Sequence, residues 1–461
     1  MNENSPNIVH KFLRLFTDIQ AGEVTTAILL MLNVYLLLMA YYIIKPVRDA
    51  LMLEEWPPEI KNYLSAAIAL LLVFAVKIFS SIASKFPRQQ LITWVTLFFI
   101  SNLVLFYALH LGGMGPGTMG IVFYIWVSIF NLIVVAQFWG FANDIYTEDE
   151  GKRMFPLIAF GATFGGYSGG RITHLLAVPL GTFQLMLVAG VILGICILIT
   201  WTIHKREVKR KKQKFVRAIQ ENKYDKSEEE KPIEKGEAFR LVFKKKYLLY
   251  IAFFVLLLNF VNTNGVYMLD TVAKNSAVEA VEAGNAAGLS VGQYLTKFYA
   301  NFYNIMNLFA MVVQLFIVSR IFKWFGVRIA IFILPVLAFG GYFALSFGAA
   351  LVLVRWVKAI ENGLDYSLMN TTRHSLYLIT PRIEKYKAQA VTKTFFHRAG
   401  DVLSAALVFL GTTFLAFKIE NIAMVNVALI LIWIGLGVLI FREHKRLSEK
   451  KTTVDQTPET D

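Results

Sequence analysis

Residues 25–44 read TTAILLMLNVYLLLMAYYII, twenty positions without a charged side chain, and residues 185–203 read LMLVAGVILGICILITWTI in the same manner. A hydrocarbon layer about 30 Å thick is crossed by roughly 20 apolar residues of α-helix. Inside that layer every backbone N–H and C=O must find its partner within the protein, which leaves helices and closed barrels. Barrel strands alternate polar and apolar over about ten residues. These runs are continuous, so they read as helices.

Working outward, the first run has a polar extension to about residue 53, and the second widens to 182–203. Ten further runs obey the same rule: 62–84, 91–111, 120–142, 156–178, 247–270, 298–321, 328–347, 350–374, 390–416 and 422–441. Composition agrees, with 56% hydrophobic and 17% charged residues over 461 positions, against about 25% charged in soluble domains. The expected fold class is an all-α integral membrane protein of about 12 transmembrane helices in two six-helix halves, 1–204 and 247–441. A basic linker, 205–246, with an acidic patch at Glu228, Glu229 and Glu230, separates the halves, and a polar tail, 442–461, follows. Short basic turns recur at the same place in each half, Lys85 to Arg88 and Arg320 to Arg328. Two parallel repeats of six are the major facilitator architecture, in which the substrate site is expected between the halves near the midplane.

The formal charge of +14 is concentrated in the linker and tails beside the spans. That is the pattern of the positive-inside rule and not of a nucleic-acid surface, so the bilayer is an expected partner and nucleic acid is not. The rule puts both termini and the linker in the cytoplasm, and the expected location is a bacterial inner membrane. The polar first 24 residues lead into a span without a short apolar region and cleavage site, so no removable signal is expected. Cys196 stands alone, which excludes a disulfide framework. No Gly-x-x-x-x-Gly-Lys-Ser/Thr loop is present to hydrolyse a nucleotide, and seven scattered histidines lack metal-ligand spacing. The expectation is a gradient- or exchange-driven carrier, not an enzyme, with no metal and no cofactor.

Function is sought where charge stands inside an apolar span, since such a group costs about 2.5–3.5 kcal/mol on insertion scales. The first span ends in YYIIKPVRD, 41–49, whose spacing puts Tyr41, Lys45 and Arg48 on one helical face, with Pro46 weakening the backbone ladder. Two readings stand: an interfacial anchor in which Asp49 neutralises Lys45, or a cationic cavity wall. In the fifth span Gly161, Gly165, Gly166, Gly169 and Gly170 form a small-residue stripe suited to close helix packing, followed by Arg171. The tenth carries Lys358, Glu361, Asp365 and Arg373, which suit a structural ion-pair ladder or a proton or substrate site. The eleventh adds Arg398 and Asp401. Asn259, Asn262 and Asn264 of the seventh suit either a ligand or helix joining. Lys45, Arg48, Arg171, Lys358, Arg373 and Arg398 outnumber Glu361, Asp365 and Asp401, an excess that implies an anionic small-molecule substrate.

Several segments together resemble the ATP:ADP antiporter family, the nucleotide transporters of plastids and intracellular bacteria. They are YIIKPVRD at 42–49, FWGFANDIYTEDEGKRMFPL at 138–157, Gly161-Ala162, SGGR at 168–171, YSLMNTTR at 366–373, KYKA at 385–388 and RAGD at 398–401. The resemblance implies a major facilitator-like exchanger of nucleoside phosphates. Its transport site would use basic residues at Arg48 and Arg373, where those exchangers typically have lysines, and an acidic or polar residue at Asp144. Asn262 departs from the resembling exchangers, which tend to carry glutamate there. The substrate-binding candidates are thus Lys45, Arg48, Asp144, Arg171, Asn262, Arg373 and Arg398, with Glu361, Asp365 and Asp401 as candidate coupling groups. Two rivals are a proton-coupled carrier of another organic or phosphorylated anion and a membrane scaffold whose linker binds anionic lipid.

Overall fold

The computed structural model describes residues 24–83, 86–146, 148–220 and 235–455. Lys85, Thr147 and Glu228 to Glu230 lie outside the described residues. Among the described residues the chain is helical, with no strand. The helices are α1 (Val24–Glu55), α2 (Pro58–Ala83), α3 (Arg88–Leu111), α4 (Pro116–Ile145), α5 (Glu148–Leu176), α6 (Gln184–Gln220) and α7 (Lys235–Lys244), followed by α8 (Lys246–Glu282), α9 (Val291–Val312) and α10 (Val318–Leu345). Then come α11 (Leu351–Leu364), α12 (Asn370–Leu376), α13 (Arg382–Val391), α14 (His397–Phe414) and α15 (Ile419–Asp455). Three π-helical segments, Val313–Ile317, Asp365–Met369 and Thr392–Phe396, join neighbouring helices.

Each of the twelve expected spans falls on helix. Seven helical stretches are long and apolar enough to cross a membrane, and one of them, Val291–Leu345, carries two expected spans. Gly326, at φ 70°, breaks that stretch where the basic turn was expected, since glycine takes this conformation without a Cβ clash. The first helix includes the expected polar extension and continues through Pro46 to Glu55, so Lys45 and Arg48 lie inside a helix and not at its end. One element runs longer than expected. The sixth continues to Gln220, into the expected linker.

The chain forms two compact units. The first comprises 1–55, 71–231 and 283–307, and the second 56–70, 232–282 and 308–461. Within the first, α1 packs on α4, α5 and α6, and α3 packs on α6. Within the second, α8 packs on α11, α14 and α15, and α10 packs on α15.

The glycine stripe explains how α5 approaches α1. A Cβ on Gly161 would stand 2.6 Å from the Met31 carbonyl oxygen, one on Gly169 would stand 2.5 Å from that of Met39, and one on Gly165 would collide with that of Tyr35. Positions spaced by four on each helix therefore meet backbone to backbone, as small residues permit in membranes. The second unit is tied by a chain of polar side chains. Asn62 donates to Ser404, Ser404 to Asn264 and Asn264 to Asn426. Beside this chain, Lys61 Nζ donates to Asp270 Oδ1 at 2.8 Å with both side chains buried, and Tyr267 donates to Glu59 at 2.6 Å.

Gly165→Val places a branched side chain against the α1 backbone and is expected to destabilise the first unit by about 1–3 kcal/mol. Gly194→Val, where nothing stands within 4 Å of an added Cβ, is expected to shift stability by no more than about 0.5 kcal/mol. Thermal unfolding of the two variants in detergent checks the contrast.

Candidate functional site

The first cluster lies in the first unit on α1. Lys45 is buried, and its Nζ stands 4.0 Å from the Tyr303 ring centroid, 5.1 Å from that of Tyr42 and 5.7 Å from that of Tyr41. Arg48 turns its guanidinium over Tyr124, at 4.7 Å, and donates from Nη2 and Nε to Asp49 Oδ1 at 2.8 and 3.1 Å. The other Asp49 oxygen accepts from the Tyr303 hydroxyl at 2.6 Å. Aromatic faces attract cations, by up to about 2 kcal/mol where water is excluded. Two cations are thereby held in an apolar span while flat ring surfaces remain beside them. Adjacent helix positions do not face each other, so the Arg48 to Asp49 contact depends on the long arginine stem folding back.

The second cluster lies in the second unit among α8, α10 and α11. Lys358 is 0% exposed. Its ammonium donates to Glu361 at 2.7 Å, to Asn262 Oδ1 at 2.8 Å and to the Asn262 backbone oxygen at 3.1 Å. That accounts for all three ammonium donors. Tyr342 donates to the same Glu361 oxygen at 2.7 Å. Gly265 makes room, because a Cβ there would stand 2.8 Å from Lys358 Cδ and collide with the Tyr342 hydroxyl. Asn262 is therefore committed to Lys358, and Glu361 belongs to a closed ion pair at i,i+3.

The third cluster, also in the second unit, surrounds a cavity of about 300 Å³ lined by Arg373, His374, Gln389, Lys393, His397 and Arg398 among others. Arg373 Nη2 stands 3.1 Å from Asp365 Oδ1, and Arg398 Nη1 stands 3.3 Å from Asp401 Oδ2. Asp401 Oδ1 in turn accepts from Asn259 at 2.8 Å and Thr263 at 3.0 Å. In a regular helix Asp365 and Arg373, eight residues apart, would point about 80° apart at 3.6 residues per turn. The π-helical segment Asp365–Met369 adds a residue to the turn between them and closes that angle. The segment Thr392–Phe396 does the same for Lys393 and Arg398, five residues apart. Such π segments recur at functional sites.

Two candidates stand outside these clusters. Asp144, at the end of α4, pairs with Arg88 at the start of α3 at 3.0 Å, the two side chains being 53% and 47% exposed. Arg171 is exposed, with no ion pair or hydrogen bond among the described residues. Sequence reasoning missed Tyr303, Tyr342, Lys393 and Gln389. The tyrosines are polar only at the tip, Gln389 is an uncharged side chain just before the expected span at 390–416, and Lys393 meets Arg398 through a π register that counting by threes and fours does not reach.

The helical fold and these membrane-embedded charges define a multi-pass membrane protein with the major facilitator architecture. Residues 119–443 match the TLC ATP/ADP transporter family, and the chain belongs to it. It is similar to the plastidic ATP/ADP-transporter of Solanum tuberosum, with 25% identity over 202 residues, 37% of this chain and 32% of that protein. It is also similar to ADP,ATP carrier protein 2, chloroplastic, of Arabidopsis thaliana, with 36% identity over 86 residues, 16% of this chain and 14% of that protein. These matches span about a third of the length of the curated relatives or less. Among solved structures, the nucleoside transporter NupG superposes with a TM-score of 0.60 at 13% identity, over 92% of this chain and 98% of that one. A bacterial homologue of the human lysosomal transporter Spinster gives 0.54 at 14% identity, over 93% and 99%.

Asn262→Glu sets a second carboxylate against the one ammonium of Lys358. It is expected to lower the melting temperature, because one of the two carboxylates is left without a cation. Adding Glu361→Gln returns the cluster to one cation and one anion and is expected to recover most of that loss, as read by melting temperature.

Proposed function

We propose that this protein exchanges nucleotides, ATP and ADP or related nucleoside phosphates, across a membrane by alternating access, and that it carries out no chemical conversion. The observation that carries the reading is the Lys45 and Arg48 cluster, where two cations sit among the rings of Tyr41, Tyr42, Tyr124 and Tyr303 inside an apolar helix. Guanidinium and ammonium groups suit phosphate oxygens, and aromatic faces suit a planar base. Membership of the TLC ATP/ADP transporter family and the relatives' names support the same substrate class. In this reading Arg48 and Arg373 bind the anion, with Lys45, Arg171 and Arg398 adding charge. Asp144 stays a candidate through its pair with Arg88, Asn262 holds Lys358 in place, and Glu361, Asp365 and Asp401 are the candidate coupling groups. The working division is the two halves 1–204 and 247–441 joined by the linker 205–246 and followed by the tail 442–461. Both termini and the linker are cytoplasmic, in a bacterial inner membrane, and nucleic acid is not a partner.

Proteoliposomes test this directly. Uptake of labelled ATP is expected to require ADP or ATP inside the vesicle. Exchange of ATP for ADP moves about one net charge, so its rate is expected to respond to an imposed potential, at about 2.3 kcal/mol per 100 mV. Uptake into empty vesicles driven by a proton gradient alone would count against exchange. Arg48→Ala is expected to lower nucleotide affinity at least tenfold, and Arg48→Lys, which keeps the charge and loses the planar fork, by a smaller factor.

A further inference from the structure

We propose that the cavity in the second unit seats a phosphate oxyanion, with Lys393 and Gln389 as ligands beside Arg373 and Arg398. The cavity, about 300 Å³, is at the lower end of the range for small-molecule sites, a size that suits part of a nucleotide. Its chemistry is one-sided. Three cationic side chains, Arg373, Lys393 and Arg398, line it together with His374 and His397, and no carboxylate does. Two of the cations have a carboxylate behind them, Asp365 for Arg373 and Asp401 for Arg398. Lys393 has no acidic partner among the described residues and is exposed, so one positive charge is left for a ligand.

Two further observations point to a ligand. The Gln389 side-chain nitrogen is buried and has no hydrogen-bond partner among the described residues, yet Gln389 lines this cavity. A buried amide donor without a partner is costly, and an oxyanion in the cavity would accept from it. The Arg373 to Asp365 contact lies within ion-pair distance, but Asp365 Oδ1 makes no aligned hydrogen bond, so the guanidinium fork is not used up by its neighbour. Asp365 and Asp401 then hold the two arginines in place without occupying the cavity, and Lys393 supplies the charge that discriminates. Taking the occupant to be the phosphate chain of a transported nucleotide rests on the exchange reading. A free phosphate would present the same chemistry.

The test is calorimetric titration of the purified full-length protein with pyrophosphate, run alongside vesicle exchange. Wild type is expected to bind pyrophosphate, Lys393→Gln to weaken that binding at least tenfold with an unchanged melting temperature, and Lys393→Arg to restore most of it. Gln389→Leu is expected to weaken it by a smaller factor, and Lys445→Gln, at an exposed position of α15, to leave it unchanged. Competition by ATP assigns the site to the nucleotide's phosphates. Binding of pyrophosphate and orthophosphate without competition by ATP assigns it to free phosphate, and either result supports the oxyanion seat. Absence of pyrophosphate binding, or equal affinity in wild type and Lys393→Gln, overturns it, even if vesicles exchange nucleotides normally. Lys393-dependent pyrophosphate binding in a protein that exchanges no nucleotide would instead overturn the exchange reading and leave the seat standing.

Discussion

A charge carried into hydrocarbon has to be matched by something the protein itself supplies, and the arrangement of this molecule follows from how each charge is matched. At Lys358 the matching is complete, because one ammonium has three donors and Glu361 and Asn262 offer three acceptors. At Lys45 and Arg48 it is made partly by aromatic faces, which stabilise a cation without consuming its hydrogen bonds. Around the second-unit cavity it stops short at Lys393. The progression separates charges that join helices from charges left available to a solute, a distinction that burial alone does not make.

The same scarcity of water governs how the helices meet. With no hydrophobic gain in lipid, close association relies on dispersion between backbones and on interhelical hydrogen bonds. Both units use both: in the first, Gly161, Gly165 and Gly169 meet the carbonyls of Met31, Tyr35 and Met39 while Asn33 donates to Thr200, and in the second, Gly400 meets the backbone of Phe260 while Asn62, Ser404, Asn264 and Asn426 form a hydrogen-bonded chain. Close packing of α5 on α1 leaves Lys45 and Arg48 on a helix fixed along the turns that precede them. A cation–aromatic cluster needs that stiffness, because ring and charge must stay within about 6 Å.

Much of the fold was legible because helix length in a bilayer is set by thickness, and a run such as 185–203 has one reading. The glycine stripe was legible for the same reason, since small residues spaced by four have one common use in membranes. Helix ends were less so. Lys45 and Arg48 were expected at the end of the first span because charge usually marks an interface, yet the chain stays helical through Pro46 to Glu55. Lys61 and Asp270 stand at the margins of the expected spans 62–84 and 247–270, where nothing in the spacing singles them out, and they form a buried pair. The cavity was the least legible feature. Its charges come into register through two π-helical segments, and no residue type announces an extra residue in a turn.

The asparagine at 262 gains a physical account from these contacts. In the resembling exchangers a carboxylate tends to stand there, and its loss here reads from sequence as a missing substrate or coupling charge. The geometry supplies a different balance. Glu361, one helical turn from Lys358, already neutralises the ammonium, and Tyr342 donates to the same carboxylate oxygen that the ammonium uses. A second carboxylate at 262 would leave one negative charge without a cation beside Lys358, whereas an amide oxygen accepts from the ammonium and adds no charge. Asn262 therefore completes the Glu361 and Lys358 pair without adding a charge. In this chain the negative charge of the cluster sits at 361 on α11, where it is held between a lysine and a tyrosine.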